Sequence, residues 1–348
     1  MHATIPRISG RKGLIAAAAA VVTTLGLLAG CSATGNAATS QSPSASDGHP
    51  NLAGQSIRLV VGATPDISDT KVALIADVLK SWGANATIVN QADDPSAVRA
   101  ILSNSGDIGF IAASSAINSG LMVFGPSQPR LDYDFVGAPS ISKMSQLPGK
   151  IYGTSNIHGV EALMFASLLK TEKIDPSKVT VTVAGGASVR VSAMLTGHIQ
   201  ATFVHAQDVP TLTDHGFHIL ANMAKEAPDL ADSFMVSTSS YAKAHPELLK
   251  AIDMAWIEAA RTFNDDEAAW VTAAVAYGGG TEADAQTTWK ALKSVDTYPV
   301  GADTYSKAAA QKQEDLAAQV GAITSSPPIN KWASQTAWNA AVKAEKLK

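Results

Sequence analysis

The chain has 348 residues, 46% of them hydrophobic and 16% charged, with a formal net charge of −4 and one cysteine. That cysteine count excludes a framework of intrachain disulfides. The mildly acidic balance argues against nucleic acid or an anionic membrane surface as the main electrostatic partner, and the length allows a large core split between two domains.

In chain order, Arg7, Arg11 and Lys12 precede an apolar run over 14–28, which ends in Leu28-Ala29-Gly30-Cys31. A basic start, an apolar core and small residues at its end describe a secretory signal. The run is shorter than the roughly 20 strongly apolar residues of a membrane span. Leu-Ala-Gly-Cys resembles the bacterial lipobox, where the thiol is acylated and the chain is cut just before it. On that reading 1–30 is a lipoprotein signal peptide, Cys31 is the lipidation site, and the body is extracytoplasmic and lipid-anchored to the bacterial cell membrane. The alternative is an ordinary cleaved signal with an incidental cysteine. Losing Arg7, Arg11 and Lys12 takes the charge to about −7. Residues 31–50, rich in Ser, Ala, Gly and Pro, cannot repay the entropy of ordering and read as a flexible tether with a reach of roughly 25 Å.

From residue 54, short apolar runs alternate with amphipathic segments, the pattern of βα units and mostly parallel sheets. Strands are predicted at 57–62, 86–90 and 108–112. Between them lie a helix over 69–82, with Val72, Ile75, Ala76, Leu79 and Trp82 at helical spacing and Ser68 or Asp69 as cap, and one over 95–103 capped from Asp94. The Pro- and Gly-rich segment 121–133 reads as irregular. Strands follow at 135–138, 150–153, 179–183 and 201–204, with helices over 159–172, 188–196 and 209–215. After Ala221 there is one more strand near 234–237, then helices to the end, the last set off by Pro327-Pro328. Trp256, Trp270, Trp289, Trp332 and Trp338 read as packing of these helices onto the first lobe.

A weak internal repeat organises the pattern. Val98-Arg99-Ala100-Ile101-Leu102 leads to Gly106-Asp107-Ile108-Gly109-Phe110-Ile111, and Val191-Ser192-Ala193-Met194-Leu195 leads to Gly197-His198-Ile199-Gln200-Ala201-Thr202-Phe203-Val204. Each copy is a helix, a glycine turn and a buried strand that ends in a polar loop. Two similar lobes are one reading; the general likeness of βα units is the other.

Several segments carry a family resemblance: Leu147-Pro148-Gly149-Lys150, the hydroxyl-bearing loop and helix from Thr154 to Lys170, Ile174-Asp175-Pro176-Ser177-Lys178-Val179, Ala193–Ala201, and His245-Pro246-Glu247-Leu248-Leu249-Lys250. In this order they resemble the solute-binding lipoproteins of ABC transporters of the nitrate/sulfonate/taurine and thiamine-precursor (NMT1/THI5-like) type, over about 55–263. The chain departs from that pattern at Gln200 and Gly109, where the family carries Asp at 200, and in a short crossover near 137–147. The resemblance implies an α/β fold of the type II periplasmic-binding-protein kind, two lobes with a ligand cleft between them. Lobe one is expected at 51–137 and 230–348, lobe two at 138–229. It also implies a monomer that captures a small polar ligand, anionic or zwitterionic (sulfonate-, nitrate-, taurine- or pyrimidine-like), and hands it to permease subunits, without cofactor or catalytic group.

Strand ends nominate the cleft residues, because ligands of open α/β sheets sit beyond the carboxyl ends of strands. In lobe one these are Thr64, Asp66, Ser114 and Ser115. In lobe two they are Thr154, Ser155, Asn156 and His158, then Gly186, Ala187 and Ser188, then His205 and Gln207. Hydroxyls and free N–H groups at a helix start form an anion site, yet the same residue types are ordinary helix caps, and both readings stand. His158 and His205 are either donors to a ligand or structural. Arg190 faces either an anion or solvent, and solvent is its expected place. Asp66 and Asp69 suit an amine or N–H donor, so a ligand with an acidic end toward lobe two and a donor toward lobe one is coherent.

The rival classes are a surface lipoprotein enzyme and a scaffold. No G-x-S-x-G or H-E-x-x-H occurs, and Gly278-Gly279-Gly280 lacks the Lys-Ser/Thr of a phosphate loop. The Cys-rich motif of pyrimidine synthases is missing. His215-x-x-His218 reads as structural rather than metal-binding.

Overall fold

The amphipathic βα pattern resolves into two five-stranded sheets in the computed structural model, which describes residues 48–157, 159–323 and 327–348. The signal segment, most of the tether, Cys31 and His158 lie outside the described residues. The described residues group as one compact unit.

In the first lobe, β1 (Ser56–Val61) leads through a 3-10 turn to α1 (Thr70–Ser81), then β2 (Asn85–Asn90), α2 (Asp94–Leu102), β3 (Ile108–Ile111), α3 (Ala113–Ile117) and β4 (Met122–Gln128). Apolar Val72, Ile75, Ala76 and Leu79 bury one face of α1 against the sheet. Asp93, not Asp94, caps α2: its side chain accepts from the Ser96 amide at 2.8 Å. The chain then crosses at 129–132 to the second lobe, with β5 (Tyr133–Gly137), β6 (Ile151–Thr154), α4 (Val160–Thr171), β7 (Thr180–Val183), α5 (Ala187–Leu195), β8 (Ala201–His205), α6 (Val209–Thr213), β9 (His218–Asn222) and α7 (Met223–Glu226). It returns through 227–232 to β10 (Ser233–Ser237). Six helices follow: α8 (Ser239–Ala244), α9 (Pro246–Asp265), α10 (Glu267–Gly278), α11 (Glu282–Ser294), α12 (Lys307–Gln319) and α13 (Thr336–Ala344).

The strand orders are β2-β1-β3-β10-β4 and β7-β6-β8-β5-β9. Four strands of each sheet point the same way, and one, β10 in the first and β5 in the second, runs antiparallel to both its neighbours. The sheets therefore correspond strand for strand, and the sequence repeat coincides with α2–β3 in one and α5–β8 in the other. In both sheets the strand that follows a crossover, β5 or β10, inserts next to the repeated strand.

Three expectations need correction. Segment 121–133 is not irregular: β4 forms at the edge of its sheet, where Pro126, lacking an N–H, is tolerated and register shifts mark the bulges. β5 does not belong to lobe one. It pairs antiparallel with β8 and β9, so lobe two begins at 133 rather than 138. The C-terminal helices do not cover lobe one alone. Leu316 of α12 packs on the second lobe's core, and Lys170 of α4 donates to the carbonyl of Gln319 at 3.0 Å.

The tryptophans do pack. Trp256, Trp270 and Trp338 are fully buried; Trp256 and Trp338 meet edge to face at 5.8 Å, and the Trp256 indole donates to the carbonyl of Ser127 at 2.9 Å. This fastens α9 and α13 to β4, just ahead of the crossover. Burying such rings contributes several kcal/mol per side chain.

Candidate functional site

The carboxyl ends of β1 and β3 in one lobe and of β6, β7 and β8 in the other supply the loops of the cleft. In lobe one Thr64 is exposed, and Asp66 caps the turn before α1, its Oδ1 accepting from the Ser68 amide at 2.9 Å and the Ser68 hydroxyl at 2.6 Å. Gly278, at the end of α10, presses on this loop: a Cβ there would lie 2.3 Å from the Ile67 nitrogen. The glycine run 278–280 thus serves close packing and a left-handed helix end, with φ of 76° and 80° at Gly279 and Gly280. Ser114 is buried in α3, and the Ser115 hydroxyl donates to Asp94 at 3.4 Å. The start of α3 is satisfied by the protein itself: Gln313 of α12 accepts from the Ala113 amide at 2.8 Å and donates to the Ala231 carbonyl at 2.6 Å.

Lobe two holds a carboxylate in the place proposed for an anion. Glu161, in the first turn of α4, accepts from the Ser155 amide at 3.2 Å, the Ser155 hydroxyl at 2.7 Å and the Thr154 hydroxyl at 3.4 Å. Its other oxygen pairs with Arg190, whose guanidinium also donates to Thr202 and to the carbonyls of Gly185 and Phe203. Arg190 is 2% exposed, which corrects its expected place in solvent. Its stem lies along α5, and a buried guanidinium needs this many acceptors to offset the loss of water. Thr154 and Ser155 therefore spend their donors on the chain's own acid. Asn156 sits partly buried just beyond them. Gly186 is the cap of α5 without a side-chain cap bond, and Ala187 and Ser188 form an open first turn. α4 and α6 also start without a side-chain cap bond, but the first turn of α4 is buried at Val160 and Glu161, whereas Gly186 and Ser188 at the start of α5 are exposed.

At the crossover a chain of polar contacts runs from lobe one to lobe two. Lys71 pairs with Asp69 at 2.7 Å and reaches Gln128 at 3.4 Å; Gln128 donates to Asp132 at 2.9 Å; Asp132 pairs with His205 at 2.9 Å. Tyr133 lies against the His205 ring at 4.6 Å. Burial works against the charged imidazole, but the charge and hydrogen bond of Asp132 outweigh it, and the His205 pKa stands at about 10. The same pairing, set against burial, holds the Asp132 carboxyl below its ordinary value. Lys71, likewise buried, is kept charged by Asp69. Further carboxylates surround this chain. Burial, with the charge of Asp232, pushes Asp94 up to about 7; burial and Asp132 push Asp232 to about 6. Asp208 is raised by burial, His205 opposing, and by the charge of Asp66 in the other lobe. Next to it Gln207 keeps its amide oxygen buried with no donor.

The sequence reading missed Glu161, Lys71, Asp132, Asp208, Asp232 and Gln313. Glu161 had a signal, an acid one turn into the helix that follows Thr154-Ser155. The others become visible only once strand order is known. A groove of about 390 Å³ beside Leu102, Asn104, Asp107 and Tyr241 lies at the opposite, amino end of β3 and is not this cleft. His215 caps its own helix through Thr211 at 2.8 Å. Among the described residues no group of three or more His, Cys, Asp or Glu is placed to hold a metal ion, and no helix is long and apolar enough to cross a membrane.

Two corresponding sheets, two crossovers and loops converging from both lobes define the periplasmic-binding-protein fold. Residues 134–266 match the model of the NMT1/THI5-like family. Solved structures agree on the fold. The ligand-binding component of an ABC-type import system from Staphylococcus aureus, with zinc bound, is 13% identical, with a TM-score of 0.68 over 82% of this chain and 99% of that one. The nitrate-binding protein NrtA from Synechocystis PCC 6803 is 11% identical, with a TM-score of 0.68 over 83% and 89%. The alkanesulfonate-binding protein SsuA from Xanthomonas axonopodis pv. citri, bound to MOPS, is 17% identical, with a TM-score of 0.64 over 82% and 99%. No curated protein matches the sequence.

Proposed function

We propose that the protein is the extracytoplasmic solute-binding receptor of an ABC importer, which captures a small polar ligand by hinge closure and delivers it to permease subunits. The observation that carries this reading is the pair of matched sheets joined by two short crossovers. Such a molecule closes when a ligand makes contacts in both lobes that only the closed form allows. The Asp69–Lys71–Gln128–Asp132–His205 chain lies at the crossover and gives the hinge a fixed polar spine. Thr64, Asp66, Ser115, Asn156, Gly186, Ala187, Ser188, His205 and Gln207 are the residues assigned to the cleft. Thr154, Ser155 and Ser114 shape its walls from behind. Anchoring through acylated Cys31 keeps the receptor beside its permease, and the body acts as a monomer without catalysis.

The test is a calorimetric titration of the full chain against sulfonates, nitrate, pyrimidines, aromatic acids and amines, with recovery of the solute. One molecule bound per chain and recovered unchanged is the expected result. Turnover of the solute, or no binding at all, would refute the receptor reading.

A further inference from the structure

The charges of the cleft are unbalanced, and the imbalance identifies the chemistry of the ligand. Each buried or half-buried cation around it already has a carboxylate partner: Lys71 has Asp69, His205 has Asp132 and Arg190 has Glu161. Asp66, Asp94, Asp208 and Asp232 form no salt bridge among the described residues; the charge of His205 reaches Asp208, and those of Lys71 and His205 reach Asp232, but each of these cations is already paired. They come from both sides: Asp66 from the loop after β1, Asp94 from the start of α2, Asp208 from the loop after β8, and Asp232 from the return crossover. Asp94 sits on Gly62, where a Cβ would meet its Oδ1 at 2.3 Å, so it is held at the carboxyl end of β1.

A second observation is independent of these acids. The Gln207 amide oxygen is buried and accepts from nothing, a costly state for a polar atom unless a donor arrives. Acceptors are in excess and donors are short. The hydroxyl loop that would have received an anion is filled by Glu161. The charge of Asp66 in lobe one already acts on Asp208 in lobe two, and this repulsion between like charges opposes their closer approach. A positive group between them turns that repulsion into attraction.

Resting on the receptor reading above, we infer that the cleft takes a ligand bearing a protonated amine or related N–H cation, seated between Asp66 and Asp94 of lobe one and Asp208 and Asp232 at lobe two and the return crossover, with Gln207 accepting one of its hydrogens. Any acidic end of the ligand points to the open first turn of α5 at Gly186-Ala187-Ser188. The titratable groups on which these acids act, or which act on them, include Asp69, Lys71, Asp132, Tyr133, Arg190, His205, Tyr277 and Tyr298, and the cations among them are already paired. The raised carboxyls Asp94 and Asp232 give binding a signature. A cation drawn between them lowers their pKa and expels protons, whereas an anion raises it and takes protons up.

The test titrates the full chain at pH 6.5, in buffers of different ionisation enthalpy, with matched probes: 1,4-diaminobutane against 1,4-butanediol, benzylamine against benzyl alcohol, and taurine against ethanesulfonate, with nitrate as the bare anion. The expected result is that at least one amine binds with release of protons and at least tenfold more tightly than its partner without nitrogen. Asp208→Asn and Asp66→Asn each weaken that amine at least tenfold while the melting temperature without ligand stays within a few degrees. Binding of ethanesulfonate or nitrate with proton uptake, the amines showing no advantage, would overturn the inference and leave the receptor reading intact. No binding by any probe would count against both.

Discussion

Removing the Glu161 carboxylate tests how lobe two is built. In Glu161→Ala the buried Arg190, 2% exposed, loses its counter-charge, and the Ser155 amide and hydroxyl lose their acceptor. Breaking a buried pair by deleting one partner costs about 3–5 kcal/mol. The Coulomb gain of the intact pair is largely offset by desolvation, so replacing both residues with apolar ones of similar volume, as in Glu161→Leu with Arg190→Met, costs far less than either single change. Urea denaturation of the four proteins gives the comparison. The vacated place also has the chemistry of an anion site, with a guanidinium, a hydroxyl and a free N–H. Acetate at 100 times its dissociation constant should then restore about 2.7 kcal/mol to Glu161→Ala and nothing to the wild type. A loss below about 1 kcal/mol, with no response to acetate, would show that Glu161 does not occupy this place.

Asp253, fully buried in α9 with neither oxygen hydrogen-bonded, is pushed well above its ordinary 3.8 by burial. The folded state keeps a proton that the unfolded state releases, so above pH 4 this group removes about 1.4 kcal/mol of stability per pH unit. In Asp253→Asn that slope disappears, and the variant gains on the wild type as pH rises above about 4 in thermal or urea unfolding; a difference independent of pH would contradict it. His205 shifts the other way. Its folded pKa of about 10 lies above 6.5, so its contribution is full below pH 6.5 and is lost as pH rises toward 10. His205→Gln flattens stability over that window, and an unchanged profile would mean that the pair with Asp132 is not formed. For the anchor, Cys31→Ser releases the protein from membranes in fractionation without changing ligand affinity; loss of affinity would count against separate anchor and receptor parts.

The helix–turn–strand repeat and the periods of α1, α4 and α9 were legible because they reflect burial of one face, which the local spacing of apolar residues encodes. β4 was not, since Gly125 and Pro126 signal irregularity and only its edge position makes them acceptable. β5 was read as a strand but placed in the wrong lobe, because pairing with β8 is set by a chain segment some seventy residues away. The cleft shows the same division. Strand ends nominated its loops, and Thr154, Ser155 and Asp66 lie just beyond or at such ends. Their partners decide what they do, and those partners are distant: Arg190 belongs to Glu161, and His205 to Asp132. Arg190 on a helix of mixed polarity gives no sequence signal that it turns inward.

The central claim is that the two lobes close on a ligand held between them. In a Cys31→Ser background, spin labels at Ala92 and Val189, exposed positions in lobe one and lobe two, report the distance across the cleft by pulsed electron resonance. With the amine that binds most tightly in the titration, the distance distribution is expected to shorten and narrow. A bound ligand that leaves the distribution unchanged would contradict the account.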